Sequence, residues 1–260
     1  MQQYLNTVIN SDCLDFMKTL PDKCIDLTVT SPPYDNLREY NGFTFDFENI
    51  ARELFRITKD GGVVVWVVGD ATVNGSETGT SFKQALFFKE IGFNIHDTMI
   101  YKKKAVGACG SSLSYWQSFE YMFVFSKGKP KSVNRIKDKK NALSGFIHSK
   151  NQKMEKLKTR TNRPGVVIQD WGFRDNVWEY NTGMFSGDDK TSHPAPFPEK
   201  LARDHIISWS SEGDLVFDPF AGSGTTLRMA KNTGRDYIGC EISKEYCDII
   251  HKRLEQEVLL

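Results

Sequence analysis

The chain has 260 residues, of which 34 are basic and 33 acidic, and it contains five cysteines. This length suits one large α/β domain, alone or with an insertion. The near-zero net charge does not by itself predict a nucleic-acid partner, so only a local basic segment could indicate one. No Cys-x-x-Cys pair occurs, which favours free thiols in a reducing compartment. The N-terminus lacks a signal-peptide pattern and the longest apolar run, Val63–Val68, is too short for a membrane span, so a cytoplasmic protein is expected.

The first half of the chain alternates short apolar runs with amphipathic segments. Periodicity predicts a strand at Asp26–Thr30, a helix over Phe47–Thr58, a strand at Val63–Val68, a helix over Ser81–Ile91, and strands at Asn94–Tyr101 and Glu120–Phe125. Asp60-Gly61-Gly62 is predicted to terminate the first of these helices. The alternation of strands and helices predicts an α/β fold with a mostly parallel sheet covered by helices on both faces.

The end of the chain returns to the same alternation. Pro198 is predicted to open a helix, where its missing N–H costs nothing. The further elements are a strand at Leu215–Phe217, a helix over Thr226–Asn232, a strand at Tyr237–Cys240 and a helix from an N-cap at Ser243 to Leu254. His205 falls on the apolar stripe of its helix and is predicted to be a core residue.

A glycine-rich turn joins the strand at Leu215–Phe217 to the next helix, with the sequence Asp218-Pro219-Phe220-Ala221-Gly222-Ser223-Gly224-Thr225-Thr226. Glycines in such a turn let backbone N–H groups approach a ligand at a helix N-terminus. Glu241 ends the following strand, where a Rossmann-type site places a carboxylate for ribose hydroxyls. Neither the P-loop lysine nor the dinucleotide fingerprint is present. The carboxylate of Asp218 would repel a pyrophosphate, but it suits the cationic methyl donor S-adenosylmethionine.

The segment Ser31-Pro32-Pro33-Tyr34 follows directly after a predicted buried strand. Neither proline can donate to a strand ladder, so the segment is predicted to be a rigid turn. Ser31 Oγ and the Pro32 carbonyl could accept hydrogen bonds from the exocyclic amine of a base and align it with a methyl donor. Tyr34 could stack on a base taken out of the duplex. Methylation of cytosine at carbon 5 would need a Pro-Cys dipeptide, which the chain lacks.

Together these segments resemble the amino-group DNA methyltransferases of restriction–modification and orphan systems, in the permuted arrangement called the beta class. The N-terminal segment Asn10–Asp15 and the segment His193–Leu201 are also similar to segments of that family. The resemblance implies a circularly permuted, Rossmann-like methyltransferase domain with a catalytic half at 1–126, an inserted target-recognition region at 127–190 and a cofactor-binding half at 191–260. It also implies that Asp12, Cys13 and Phe197 join the glycine loop and Glu241 in binding S-adenosylmethionine.

The identity of the target base is predicted from the residues before Pro-Pro. In this family, Thr-Ser before Pro-Pro, together with His-Pro-Ala-x-Phe-Pro, favours N4 of cytosine, whereas Asp or Asn in the place of Ser31 is typical of N6 of adenine. Adenine stays an alternative, as do a catalytically silent DNA-binding protein and a methyltransferase acting on RNA or on protein glutamine. The implied partner is double-stranded DNA, and a homodimer and a separate cognate restriction endonuclease are compatible with the resemblance.

A basic segment runs from Lys127 to Arg163, with 13 Lys or Arg against two acidic residues. We interpret it as a DNA-facing lobe whose cations neutralise phosphates. The predicted DNA-binding residues are Lys102, Lys103, Lys104, Arg135, Lys139, Lys140, Arg160 and Arg163. Trp171, Phe173 and Trp178 are predicted to pack in a core rather than to flank a flipped base. The histidines have no metal-ligand spacing, so no metal site is expected.

Overall fold

The computed structural model describes residues 1–33, 45–104, 115–148, 166–181 and 198–255. The chain forms two compact units, one made of Met1–Asn134 and Asn176–Leu260, the other of Arg135–Asp175. The smaller unit falls within the predicted insertion at 127–190, and residues 127–134 belong to the larger unit. None of the helices in the described ranges is long and apolar enough to cross a membrane.

The strands of the larger unit are β1 (Thr7–Asn10), β2 (Ile25–Thr30), β3 (Thr58–Val68), β4 (Thr72–Val73), β5 (Ser76–Glu77), β6 (Asn94–Lys103), β7 (Phe119–Ser126), β12 (Val177–Tyr180), β13 (Leu215–Asp218) and β14 (Asp236–Glu241). The smaller unit contains β8 (Lys137–Lys140), β9 (Ile147–His148), β10 (Val166–Val167) and β11 (Trp171–Phe173). The helices are α1 (Cys13–Thr19), α2 (Phe47–Ile57), α3 (Thr80–Glu90), α4 (Glu199–Trp209), α5 (Thr225–Asn232) and α6 (Lys244–Glu255), after a 3-10 turn at Gln2–Tyr4.

Among the described residues, the main sheet has eight strands in the order β1-β14-β13-β2-β3-β7-β6-β12. Only β7 runs antiparallel to its neighbours β3 and β6, and the other pairs are parallel. The predicted mostly parallel α/β sheet is therefore confirmed. Because β1, β14, β13, β2 and β3 point the same way, their carboxyl ends meet at one edge of the sheet.

The core lies between this sheet and the helices. Its largest fully buried side chains include Trp66 of β3, Phe88 of α3 and Phe217 of β13. The β2 strand is buried at every position, as expected for a central strand covered on both faces. His205 and Trp178 are also buried, which confirms that both are core residues.

One predicted break is wrong. Asp60-Gly61-Gly62 does not form a turn after α2, because β3 already begins at Thr58, which pairs with Ile25 of β2. The Gly61 N–H donates to the Lys127 carbonyl at 2.7 Å, and the glycines lie within β3 at a register shift, because the pairing with β2 passes from Thr58 directly to Val63. A Cβ on Gly62 would lie 2.7 Å from Thr58 Cγ2, so here glycine permits a close backbone approach rather than a turn.

Candidate active site

The site lies where the chain order of the sheet reverses. From β13 the chain continues outward to β14, and from β2 it continues to β3 on the other side, while β13 and β2 are paired neighbours. The crevice outside the carboxyl ends of two such strands is the usual ligand site of an open α/β sheet. The glycine loop follows β13 and Ser31-Pro32-Pro33 follows β2, so the two predicted motifs meet at this point.

Two glycines fix the shape of the cofactor loop. Gly224 caps the start of α5 in the left-handed conformation, with φ of +81°, and a Cβ there would lie 2.8 Å from Ile250 Cγ2. Gly239 of β14 runs beneath the loop, and its Cβ would lie 2.5 Å from Leu227 Cδ1. The Ala221 N–H donates to the Cys240 carbonyl at 2.9 Å, which seats the loop on β14. The close packing of the loop against the sheet and α6 therefore requires glycine at both positions.

Glu241 joins the loop to the end of β14. Its Oε2 accepts from the Gly222 N–H and its Oε1 from the Ser243 N–H, each at 2.8 Å. Burial raises the pKa of Glu241, while these backbone donors act in the opposite direction. Since each carboxylate oxygen has a second lone pair, Glu241 is oriented and still able to accept from a ribose hydroxyl.

Asp218 lies beneath the loop rather than at its mouth, with 4% of its surface exposed. Its Oδ1 accepts from Thr30 Oγ1 at 2.7 Å and from the Phe220 N–H at 3.0 Å. Burial raises the pKa of Asp218 to about 6, and the hydrogen bonds from Thr30, Phe220 and Thr226 act against that rise. The carboxylate thus supplies negative charge from below the loop and at the same time ties the loop to β2.

The segment Ser31-Pro32-Pro33, which is predicted to be catalytic, is held by the same contacts. Thr30 is buried and donates to Asp218, and Thr226 Oγ1 donates to the Val29 carbonyl at 3.2 Å. Beyond Thr30, Ser31 is half-buried and Pro32 is buried. Thr30, which favours cytosine in the sequence comparison, therefore also has a structural role, because it links β2 to the glycine loop. The predicted fourth residue of the motif, Tyr34, lies outside the described residues.

A buried ion network supports the loop from behind. Arg253 of α6 donates through Nη1 to the Ser223 carbonyl at 2.6 Å and through Nη2 to Glu199 Oε1 at 2.8 Å. Arg228 of α5 donates to the same Glu199 oxygen at 3.0 Å. Sequence reasoning missed this network, because two arginines and one glutamate scattered over three helices form no local pattern.

The N-terminal segment also reaches this edge. Asn10 of β1 pairs with Glu241 of β14 and donates through Nδ2 to the Glu241 carbonyl at 2.9 Å. Asp12 is the N-cap of α1 and accepts from the Leu14 N–H at 2.8 Å. Cys13 is buried, and burial raises its pKa to about 12, so it stays a neutral thiol. The predicted cofactor residue Phe197 lies outside the described residues, which contain no cluster of metal-ligating side chains.

The predicted DNA-binding cations have different environments. Lys102 and Lys103 form ion pairs with Glu179 at 3.1 Å and with Glu120 at 2.7 Å, whereas Lys104 is exposed. In the smaller unit, Lys139 pairs with Asp175 at 2.6 Å, Arg135 stacks on Phe173 and Lys140 is exposed. Arg160 and Arg163 lie outside the described residues.

Two of the three predicted core aromatics are at the surface instead. Trp171 is 53% exposed and Phe173 is 41% exposed. Both lie on β11, which pairs with β8 in a sheet that has two strands among the described residues. An isolated two-stranded ribbon leaves side chains exposed on at least one face. The prediction that Trp171 and Phe173 pack in a core is therefore wrong.

The chain is similar in sequence to known DNA methylases. Residues 25–252 match a protein family described as DNA methylase. The chain is 56% identical over 249 residues to the orphan methyltransferase M.BamHII of Bacillus amyloliquefaciens, over 94% of this chain and 93% of that protein.

Two solved structures have a similar fold. The cytosine-N4-specific PvuII DNA methyltransferase superposes with a TM-score of 0.69 and 19% identity, over 97% of this chain and 87% of that one. The SAM complex of M1.HpyAVI superposes with a TM-score of 0.63 and 22% identity, over 95% and 99% of the two chains. At these identities the likeness concerns the fold alone.

Proposed function

Because the chain belongs to the DNA methylase family of N6 and N4 amino methyltransferases, we propose that it transfers a methyl group from S-adenosylmethionine to the exocyclic N4 amine of cytosine in duplex DNA. The observation that carries this proposal is the meeting of the two motifs at one sheet edge. There, Thr30, the residue before Ser31, donates to Asp218, the first residue of the glycine loop.

The donor half of the site fits a cationic ligand without phosphate. It offers the carboxylate of Asp218 below the loop and the half-buried carboxylate of Glu241 at the end of β14. No lysine or arginine lies within the loop itself. When bound there, S-adenosylmethionine supplies a methyl group on a sulfonium. Asp218 favours that positive charge, and Glu241 accepts hydrogen bonds from the ribose.

The acceptor half consists of Ser31 and the carbonyl of Pro32. The lone pair of a cytosine N4 amine is delocalised into the ring, so its N–H groups need acceptors that favour a pyramidal nitrogen. Ser31 Oγ and the Pro32 carbonyl are such acceptors, and the buried Pro32 gives the carbonyl a fixed direction. A bound donor would supply the methyl group to an amine held in this way, with the thioether as the leaving group and one amine proton released to solvent. No covalent enzyme intermediate is required.

The resemblance of Thr30-Ser31 before Pro-Pro to cytosine-specific members of the family supports cytosine over adenine, and the hydroxyl of Ser31 fits that base. A hydroxyl both accepts and donates, so Ser31 could accept from the N4 amine or donate to the neighbouring N3 of cytosine. Methylation of adenine at N6 is the second candidate, since the adenine amine needs the same kind of acceptors and the family contains enzymes of both kinds.

Transfer of a labelled methyl group tests the proposal. Purified protein is incubated with tritiated S-adenosylmethionine and mixed-sequence duplex DNA, with RNA and protein as parallel acceptors. We expect label in the duplex DNA and in neither of the others. If the protein binds the donor and labels no DNA, the proposal is wrong. The chain would then be a catalytically silent DNA-binding protein.

A further inference from the structure

The smaller unit contains a two-stranded antiparallel ribbon made of β8 and β11. Trp171 pairs with Lys140, Gly172 with Lys139 and Phe173 with Lys137, and a β-bulge separates the last two pairs. Residues paired across a ribbon share a face. The extra residue at the bulge therefore lets Lys137 and Lys140 both lie on the face of Phe173 and Trp171, although they are three positions apart.

Five residues define what we call the basic–aromatic face of the ribbon: Arg135, Lys137, Lys140, Trp171 and Phe173. All five are exposed. On the opposite face, a Cβ on Gly172 would lie 2.8 Å from the side-chain oxygen of Asn141. That asparagine is fixed by its own hydrogen bond to the Gln169 carbonyl at 2.8 Å.

The three described acidic side chains of this unit have partners of their own. Asp138 forms an ion pair with Arg174, Asp175 pairs with Lys139, and Asp170 accepts from Ser144. Within the described ranges, Arg135, Lys137 and Lys140 form no ion pair. The positive charge of the basic–aromatic face is therefore not cancelled within the described part of the unit.

Arg135 is the most pre-organised cation of the face. Its guanidinium carbon lies 3.7 Å from the centroid of the Phe173 ring, and Lys137 Nζ lies 4.9 Å from the same centroid. Stacking on a ring orients the guanidinium and uses none of its five N–H donors. A planar donor fork that is held in place, with no hydrogen-bond partner among the described residues, matches the O6 and N7 acceptors of guanine in the major groove.

We propose that the basic–aromatic face enters the major groove of the substrate duplex, where Arg135 reads a guanine and Phe173 is the positioning residue that holds Arg135 in the reading geometry. This proposal rests on the proposed function, since the duplex is the methyl acceptor. A two-stranded ribbon fits the major groove of B-form DNA, whereas the corresponding groove of an RNA helix is too narrow and deep for side-chain readout. Lys137 and Lys140 contact phosphates.

The test compares sequence preference among variants of the full-length protein. Each variant methylates a pool of random duplexes under single-turnover conditions, and the methylated strands are sequenced to give the relative rate for each base at each position. Arg135→Lys keeps the charge and loses the planar fork, and Phe173→Leu keeps an apolar side chain and loses the ring. Leu143→Ala is the matched control, because Leu143 is an exposed apolar residue of the same unit outside the ribbon. Calorimetric binding of S-adenosylhomocysteine confirms that each variant is folded.

We expect Arg135→Lys to relax the preference for one guanine by roughly 5- to 150-fold, the value of one bidentate contact. Phe173→Leu should relax the preference at the same guanine by a smaller factor, and Leu143→Ala should leave the profile unchanged. If Arg135→Lys keeps the wild-type preference at every guanine, Arg135 contacts phosphate only and the inference is wrong. Failure of the proposed function would differ, since the wild-type protein would then methylate no duplex at all.

Discussion

The glycine loop and the basic–aromatic face differ in how their functional groups are held. In the loop, the carboxylates of Asp218 and Glu241 are fixed by hydrogen bonds from Thr30 and from the backbone N–H groups of Phe220, Gly222 and Ser243. On the ribbon, charged side chains are exposed, and among the described residues Arg135 is oriented by stacking on an aromatic ring. A group that must align a reacting atom is thus built into the core, whereas a group that selects among DNA sequences lies on an exposed surface. Substitutions in the loop should therefore affect stability and donor binding, whereas substitutions on the ribbon should affect sequence preference.

The largest contrast is expected from the same substitution at two glycines with the same backbone torsion. Gly224 in the loop and Gly145 in the smaller unit both have φ of +81°, but only Gly224 has atoms within contact distance of an added Cβ. Gly224→Ala should cost about 2–5 kcal/mol from left-handed strain plus overpacking, and it should abolish donor binding. Gly145→Ala should cost about 1–2 kcal/mol from strain alone. Urea unfolding and titration with S-adenosylhomocysteine measure both effects, and equal losses would contradict the packing argument.

Ser31→Ala should separate chemistry from donor binding. Without its acceptor the amine is poorly aligned, so we expect the single-turnover rate of methyl transfer to fall about 100-fold. Donor affinity should not change, because the loop contacts remain. Ser76→Ala, which changes an exposed serine of β5, is the control. A rate equal to that of this control would show that Ser31 does not hold the amine.

Two threonines of β2 provide a finer test of the link between the motifs. Thr30→Val removes the donor to the buried Asp218 and should lower the free energy of unfolding by about 1–3 kcal/mol. Thr28→Val is the matched control, because Thr28 Oγ1 is buried without a hydrogen-bond partner among the described residues. That substitution should be neutral or stabilising. Denaturant unfolding curves of the two variants should therefore differ clearly. Overlapping curves would show that the hydrogen bond from Thr30 to Asp218 does not stabilise the fold.

The pH dependence of donor binding should report the charge of Asp218. Burial raises its pKa from 3.8 to about 6, so this group stabilises the donor-free fold most at low pH, and its contribution declines as the pH rises through 6. A cationic donor prefers the ionised form, so donor affinity should change the other way and fall below pH 6 by at most about tenfold per pH unit. Asp218→Asn keeps an acceptor for Thr30 and should flatten the pH profile of donor affinity. Any dependence that remains would come from the titration of Glu241. A variant profile as steep as the wild type would place the titrating charge elsewhere.

The sequence predicted the local features of the site well. The strand–glycine–helix pattern around Gly224 and the acid at Glu241 lie close together in the chain, and the structure brings them together with Ser31 at one edge. The contacts that fix their geometry were not predictable. Thr30 and Asp218 are 188 residues apart, and Ser223 and Arg253 lie on different elements, so only the packed sheet and helices bring them together.

The errors have physical causes of the same kind. Gly61 and Gly62 were assigned to a turn because glycine commonly interrupts a helix, but the backbone partner Lys127 draws them into β3. Trp171 and Phe173 were assigned to a core because large aromatic residues are usually buried. Local composition does not reveal whether a second layer covers a strand, and β11 belongs to a sheet of two strands.

The identity of the methylated nucleoside tests the central claim most directly. Duplex DNA methylated by the purified protein is digested to nucleosides, which are separated and identified by mass spectrometry beside synthetic standards. The account predicts N4-methylcytosine as the product, absent from DNA treated with the Ser31→Ala variant for the same short time. N6-methyladenine in its place would contradict the preference for cytosine drawn from Ser31 and assign the chain to adenine.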